Sequence, residues 1–332
     1  MTTRVSLASV IVVALAACGG GSEPTSVAGG ATLALSVSGL LPLDAGTAGH
    51  YEAWVVGRSG ATAPLGEVDP RSNSSFTFTN PLPDASSFLI TYETRAGTDA
   101  GPSPQRLLAG PFQNGKASLT VTGAVTANAP LREKPGQFTM FSPSDNAKNG
   151  YPSSEESGVW LFNMAPRDTP QNDMWVRLTQ LQPGWIYEGW MVRDIDTPAA
   201  VWLSYGKFLP DATGTVNARD DTGWGEFSGV TDYLNGEEEF PGDDWISNPL
   251  GYQMPGGLPL PLNLRERTAG GASRWTHLIT IEPSSDRGER VTTPRPFTIR
   301  PYRDAFGDGG PGIARTITFH GDGVPRGEVV LR

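Results

Sequence analysis

The chain has 332 residues and a formal net charge of −10, and 38% of its residues are hydrophobic. Because nucleic-acid partners require clusters of lysine and arginine, this charge argues against binding of nucleic acid and against electrostatic docking onto anionic lipid headgroups. The single cysteine excludes an intramolecular disulfide bond and a thiolate metal site. The 41 glycines and 29 prolines are more than helical domains usually contain, which favours a turn-rich chain.

Residues 1–17 have the layout of a secretory signal peptide. One basic residue, Arg4, precedes an apolar run over 5–14 that is too short to span a bilayer, and small residues then lead to Cys18. The ending Leu-Ala-Ala-Cys resembles the lipobox of bacterial lipoproteins, which implies cleavage before Cys18 and a lipid on its sulfur. The alternative is an ordinary secretory signal with an incidental cysteine. Lipoproteins retained in the inner membrane carry an aspartate after the cysteine, so Gly19 favours the outer membrane.

Residues 18–30 are rich in glycine and serine and predict a flexible tether. From residue 31 onward, short apolar segments alternate with turn residues. In the first of them, Leu33, Leu35 and Val37 share one face of a strand by their period of two. This spacing is typical of an all-β sandwich.

An internal repeat organises the rest of the chain. The segment Tyr-Glu-Ala-Trp-Val-Val returns later as Tyr-Glu-Gly-Trp-Met-Val, and three further blocks recur in the same order. The matched blocks are 37–42 with 178–183, 51–56 with 187–192, 66–68 with 206–208 and 89–93 with 278–282. We therefore predict two tandem antiparallel β-sandwich domains at 31–127 and 138–332, joined by a linker at 128–137.

The second copy contains an acidic, tryptophan-containing insertion at 209–276 that the first copy lacks. Its candidate ligand- or metal-binding residues are Asp220, Asp221, Trp224, Glu226, Asp243, Asp244 and Trp245. Clustered carboxylates can bind Ca²⁺, and exposed tryptophan rings beside carboxylates can stack on sugars. The alternatives are a solvated charge run, and tryptophans that fix the loop onto the sandwich.

Two glutamates recur with the repeat, since Glu52 and Glu93 correspond to Glu188 and Glu282. A carboxylate pair can hydrolyse a glycosidic bond. However, the pair occurs in both copies, which favours a structural role over catalysis. The chain also lacks the nucleophile-elbow, zinc-protease and phosphate-loop patterns. We predict a non-catalytic protein without a required cofactor.

The run Tyr-Glu-x-Trp-x-Val, followed by Gly-x-Phe/Val and Ile-Thr-x-Glu, resembles the extracytoplasmic C-terminal domain of anti-sigma-K factors. The second copy is the closer match, through 158–162, 184–190 and 240–244. The resemblance implies a β-sandwich ectodomain with a binding or sensing role toward a protein or glycan ligand. Because the chain lacks the sigma-binding helices and membrane-spanning helix of those factors, the resemblance does not imply direct sigma-factor inhibition. The competing function is a carbohydrate- or calcium-binding surface module.

Overall fold

The computed structural model describes residues 25–332 apart from 44–48, 94–100, 143–154, 162–175, 211–214, 217–240, 249–250, 252, 285–294 and 308. The described residues form eighteen β-strands and no α-helix, which confirms the all-β class. The strands are β1 (Thr32–Ser38), β2 (His50–Gly57), β3 (Thr62–Glu67), β4 (Ser75–Thr79), β5 (Ala85–Glu93), β6 (Arg106–Pro111), β7 (Lys116–Leu119), β8 (Gln137–Met140), β9 (Gly158–Trp160), β10 (Val176–Arg177), β11 (Trp185–Arg193), β12 (Val201–Phe208), β13 (Thr215–Val216), β14 (Gly242–Asp244), β15 (Trp275–Pro283), β16 (Ile299–Ala305), β17 (Arg315–Thr316) and β18 (Arg326–Leu331). Within these described ranges, no helix is long and apolar enough to cross a membrane.

Four sheets of four strands build the fold, and every strand pair in them is antiparallel. The first sandwich combines the sheets β3-β2-β5-β6 and β4-β1-β18-β7, and the second combines β12-β11-β15-β16 and β14-β9-β8-β17. A two-stranded ribbon, β10-β13, accompanies the second sandwich. Aromatic rings meet between the sheets of each sandwich, with Phe78 against Phe88 in the first (6.4 Å) and Phe138 against His277 in the second (4.1 Å).

The sequence repeat is also a structural repeat. In both copies the register of the strand pair shifts at the same place: β3 has the extra residue Leu65 opposite the step from Ala53 to Trp54, and β12 has Tyr205 opposite the step from Gly189 to Trp190. A glycine with positive φ directly follows the extra residue on each bulged strand, Gly66 at 130° and Gly206 at 124°. Positive φ favours glycine because a Cβ atom is strained there, so the recurring glycines follow from the recurring bulges.

Each repeat is followed by a strand that joins the other repeat's sandwich. The last strand, β18, follows the second repeat and lies between β1 and β7 of the first sandwich. The strand after the first repeat, β8, occupies the equivalent place in the second: Ile317 N donates to Gly136 O (2.9 Å), and Arg177 N donates to Pro135 O (2.6 Å). Relative to the predicted domains, β18 crosses from 138–332 into the first sandwich, whereas β8 begins at the end of the predicted linker and pairs within the second; we call this placement of the two strands the strand exchange.

One apolar core runs through both sandwiches. Tyr51 and Tyr92 of the first repeat pack on Phe297 of the second, with ring centroids 6.0 and 5.2 Å apart, and Trp185 lies 5.8 Å from the same Phe297 ring. Burial of large aromatic side chains contributes most to such contacts. The two repeats are thus joined by packing as well as by the strand exchange.

Residues 25–30 pack against the first sandwich, although the sequence assigned them to the flexible tether. Val27 is buried, and its N–H donates to Ala85 O (2.7 Å). The side-chain amide of Asn80 donates to the carbonyl oxygens of Val27 (3.2 Å) and Ala28 (2.9 Å). The folded body therefore begins by Thr25, seven positions after Cys18.

Candidate functional site

The recurring glutamates lie on the outer face of one sheet in each sandwich, the sheet that contains β2 and β5 in the first and β11 and β15 in the second. On β11, Glu188 stands directly opposite Thr280 of β15, and Glu282 is two residues further along β15 on the same face. Strand alternation sends Tyr187 and Met191 inward into the main core, and it sends Glu188 to the other side. The register thus places these two recurring glutamates on one face of the sheet.

Glu188 and Glu282 form a buried carboxylate cluster with Ser204 and Lys207. Only 5% of Glu188 and 2% of Glu282 are exposed. The Ser204 hydroxyl donates to Glu188 Oε1 (2.7 Å), and Lys207 Nζ lies 3.8 Å from Glu188 Oε2. Burial, and next the nearby charge of Glu282, raise the pKa of Glu188 to about 8. Burial also raises the pKa of Glu282. Both shifts favour the protonated forms of the two carboxyl groups.

A chain of hydrogen bonds links a tryptophan, a threonine and a glutamate on this face. Trp190 Nε1 donates to Thr280 Oγ1 (3.0 Å), and the Thr280 hydroxyl donates to Glu282 Oε1. The N–H of Phe297 donates to both carboxylate oxygens of Glu282, at 3.0 and 3.1 Å. We call this arrangement the Trp–Thr–Glu chain.

The first sandwich contains the same Trp–Thr–Glu chain at the matched positions. Trp54 Nε1 donates to Thr91 Oγ1 (3.0 Å), the Thr91 hydroxyl donates to Glu93 Oε1, and Ser103 N donates to the same oxygen (3.0 Å). Buried polar groups require partners, and here each member supplies one to the next. Because both copies use these side chains to join neighbouring strands, the geometry favours the structural role that the sequence suggested.

Glu52, the counterpart of Glu188, has a more exposed setting. Its side chain is 18% exposed and lies 4.0 Å from His50 Nε2. Burial and then the charge of Glu93 raise its pKa. The two copies therefore share the Trp–Thr–Glu chain but differ at the second carboxylate.

Residues 241–245 of the acidic insertion are buried. Asp244 and Trp245 are fully inaccessible, and Asp243 is 8% exposed. Asp243 Oδ1 accepts a hydrogen bond from Asp244 N (2.7 Å), and Trp245 belongs to the main core. A buried ring has no face to offer a sugar at the surface, so Trp245 fits the alternative in which the tryptophan fixes the loop onto the sandwich.

The other candidates of the insertion, Asp220, Asp221, Trp224 and Glu226, lie outside the described residues, and so does the lipidation candidate Cys18. In the ranges that the structure describes, no group of three or more His, Cys, Asp or Glu side chains converges on a possible metal site. The calcium prediction for the insertion stays a prediction.

A groove of about 770 Å³ lies where the chain crosses from the first repeat to the second. Residues 127–133 form one wall, and 178–180 form the other. Three hydrogen bonds fix the walls: Thr179 Oγ1 donates to Pro130 O (3.0 Å), Tyr187 OH donates to Thr179 O (2.7 Å), and Thr126 Oγ1 donates to Ala129 O (2.6 Å). The groove volume is within the range of small-ligand sites, and Arg132 is exposed on its wall.

Sequence reasoning assigned this crossover only as a linker. The available signal was its length, because 120–136 separate β7 from β8, whereas the shorter stretch 317–325 separates β17 from β18. Recognising the difference requires knowing that these two connections are equivalent, which depends on the strand exchange.

Comparisons of the chain with family models, with curated proteins and with solved structures return no match.

Proposed function

We propose that the chain is an envelope-anchored, non-catalytic lipoprotein that acts as a binding or sensing module, in the manner of an anti-sigma-factor ectodomain. Cys18 carries the lipid and holds the protein on the bacterial membrane, with the outer membrane favoured. The second repeat and the crossover groove face the ligand, which is a protein or a glycan.

The observation that carries the anchoring proposal is the short distance along the chain between Cys18 and the folded body. Thr25 N already donates to Phe112 O (2.9 Å), at the turn between β6 and β7. Seven extended residues span at most about 25 Å, so a lipid on Cys18 would keep this end of the first sandwich close to the bilayer.

The opposite end of the first sandwich contacts the second repeat. The Thr298 hydroxyl donates to Gly39 O (3.2 Å) and accepts from Leu41 N (2.8 Å), beyond the far end of β1. With the anchor at the near end, the second repeat points away from the membrane. This supports the first repeat as a spacer and the second as the ligand-facing part.

The non-catalytic assignment is supported by what the recurring glutamates already bind. Glu93 and Glu282 each accept a threonine hydroxyl and a backbone N–H, and Glu188 accepts the Ser204 hydroxyl. Their burial keeps substrates away from the carboxylates. We expect Glu188→Gln and Glu282→Gln to change stability and to abolish no turnover, and a glycosidase activity lost in both variants would contradict the assignment.

Metabolic labelling with a palmitate analogue tests the anchor. We expect label on the full chain in the membrane fraction and no label on a Cys18→Ser control. Wild-type protein that is processed but unlabelled would refute the lipoprotein assignment.

Calorimetric titration tests the binding role. We expect a protein or glycan of the native envelope to give heat on binding. Arg132→Glu, at the groove wall, should weaken the affinity for it at least about tenfold. An Arg326→Glu control changes a similarly exposed arginine on β18, away from the groove. Equal loss in both variants would remove the groove from the proposal, and heat from Ca²⁺ alone would favour the surface-module alternative.

A further inference from the structure

The place of β18 in the first sandwich is a gap between two strands, which we call the strand slot, bounded by β1 and β7. Six residues of β18 pair with β1, from Leu33 opposite Leu331 to Ser38 opposite Arg326. On its other side, four residues pair with β7. Without β18, both neighbours would expose unpaired N–H and C=O groups in the middle of the sheet, which is unfavourable.

The fit of β18 in the strand slot depends on alternate side chains. Val329 is fully buried in the main core, whereas the next residue, Val330, is partly exposed on the other face. Gly327 lies where a Cβ atom would come within 2.9 Å of Ser36 O and 3.3 Å of Leu119 Cδ1. The slot therefore selects a glycine followed two positions later by an inward apolar residue.

The equivalent position of the second sandwich holds a segment of the same pattern. There Gly136 accepts the hydrogen bond from Ile317, and Phe138, two positions later, is fully buried. Two different segments thus share one pattern and one position.

We propose that the strand slot is a binding site for an extended peptide of the type Gly-x-apolar, which this chain fills with its own β18. The hydrogen bonds to β1 and β7 and the burial of Val329 hold the strand, and the covalent connection over 317–325 only raises its local concentration. This inference is independent of the lipid anchor and of the ligand at the groove.

The test begins with the complete folded chain. A protease site inserted between Gly321 and Asp322, which are both exposed, allows the connection to be cut after folding. We expect β18 to stay with the body in native size-exclusion chromatography and to separate from it in denaturant. A labelled peptide of residues 324–332 should then exchange into the cut protein, and it should not bind the uncut protein.

Two peptide variants separate strand recognition from nonspecific adhesion. Val329→Asp places a charge in the core and should raise the dissociation constant by at least about 100-fold, whereas Val330→Asp on the other face should change it by less than about tenfold. Equal binding of the two variants would overturn the proposal. Two other results would also overturn it. One is release of β18 from the cut protein with no change in its circular dichroism spectrum, and the other is a loss of β-strand circular dichroism signal that added wild-type peptide does not restore.

Discussion

The two repeats keep the Trp–Thr–Glu chain on their outer faces and differ in their inner cores. Both contain the Trp–Thr–Glu chain at matched positions, with 3.0 Å between the indole nitrogen and the threonine oxygen in each. On the inner face, the first repeat has Ala53, Leu65 and Phe88 where the second has Gly189, Tyr205 and His277. The retained feature joins strands and defines the scaffold, and the inner core is where the second repeat has diverged.

The divergent core contains a buried polar pair. Tyr205 OH lies 2.8 Å from His277 Nε2, and burial lowers the pKa of His277 to about 3, so the imidazole is neutral. The Tyr205 ring crosses directly over Gly189, where a Cβ atom would lie 1.8 Å from Cζ of the ring. The glycine and the tyrosine are therefore a coupled change relative to Ala53 and Leu65.

The largest expected effect comes from reversing half of that coupled change. Gly189→Ala should lower the free energy of unfolding by about 3 kcal/mol or more, because the methyl group overlaps the Tyr205 ring. Ala53→Gly, the matched control, should cost about 1 kcal/mol. Chemical denaturation measures both. The double variant Gly189→Ala/Tyr205→Leu should recover part of the loss, and strict additivity would show that the two positions are not coupled.

The second prediction is that the Trp–Thr–Glu chain contributes equally to stability in both repeats. Thr91→Val and Thr280→Val each remove a hydroxyl that serves two buried partners, so each should destabilise the protein by about 2–3 kcal/mol. Thermal unfolding of the two variants provides the measurement. A loss of stability in only one variant would mean that the Trp–Thr–Glu chain has a structural role in that repeat alone.

The third prediction concerns pH and the second carboxylate. Because the folded state raises the pKa of Glu188 from 4.5 to about 8, its stabilising contribution is complete below pH 4.5 and is lost as the pH rises toward 8. Glu188→Gln should remove about 2 kcal/mol of that loss between pH 5 and 7. Glu52→Gln, at the more exposed counterpart, should change the slope less. Identical slopes in the two variants would contradict the difference in burial.

The smallest expected effect is at the buried histidine and has the opposite sign. His277 is neutral in the folded state, so protonation of the unfolded chain below about pH 6.5 reduces stability. His277→Phe/Tyr205→Phe approaches the apolar core of the first repeat and should remove about 1 kcal/mol of the loss between pH 6.5 and 5.5. Urea titrations at both pH values test this, and an unchanged loss would show that His277 is not its source.

The all-β class and the repeat could be predicted because both depend on local patterns. Strand periodicity and the recurring Tyr-Glu-x-Trp segment are visible in single stretches of sequence, and the bulge glycines Gly66 and Gly206 confirm their alignment. The recurrence of the glutamates likewise predicted matching settings, and Glu93 and Glu282 each accept a hydrogen bond from a threonine hydroxyl.

The strand exchange could not be predicted, because strand pairing is decided by contacts far apart in the chain. The Gly-x-apolar pattern of β18 is short, and nothing within 326–331 distinguishes a place in the first sandwich from one in the second. The groove could not be predicted for the same reason, because its walls come together only through the crossover. The packing of Val27 against Ala85 was not predicted, because the small residues around Val27 are typical of a flexible tether.

Hydrogen exchange of the full chain followed by mass spectrometry tests most directly whether the two repeats form one interlocked unit. We predict that amides of β18 and β1 are protected as strongly as those of β11 and β15 and open with the same free energy, because β18 cannot leave without exposing the first sandwich. Rapid exchange throughout β18 while β11 and β15 stay protected, or separate opening of the two sandwiches, would contradict the interlocked unit.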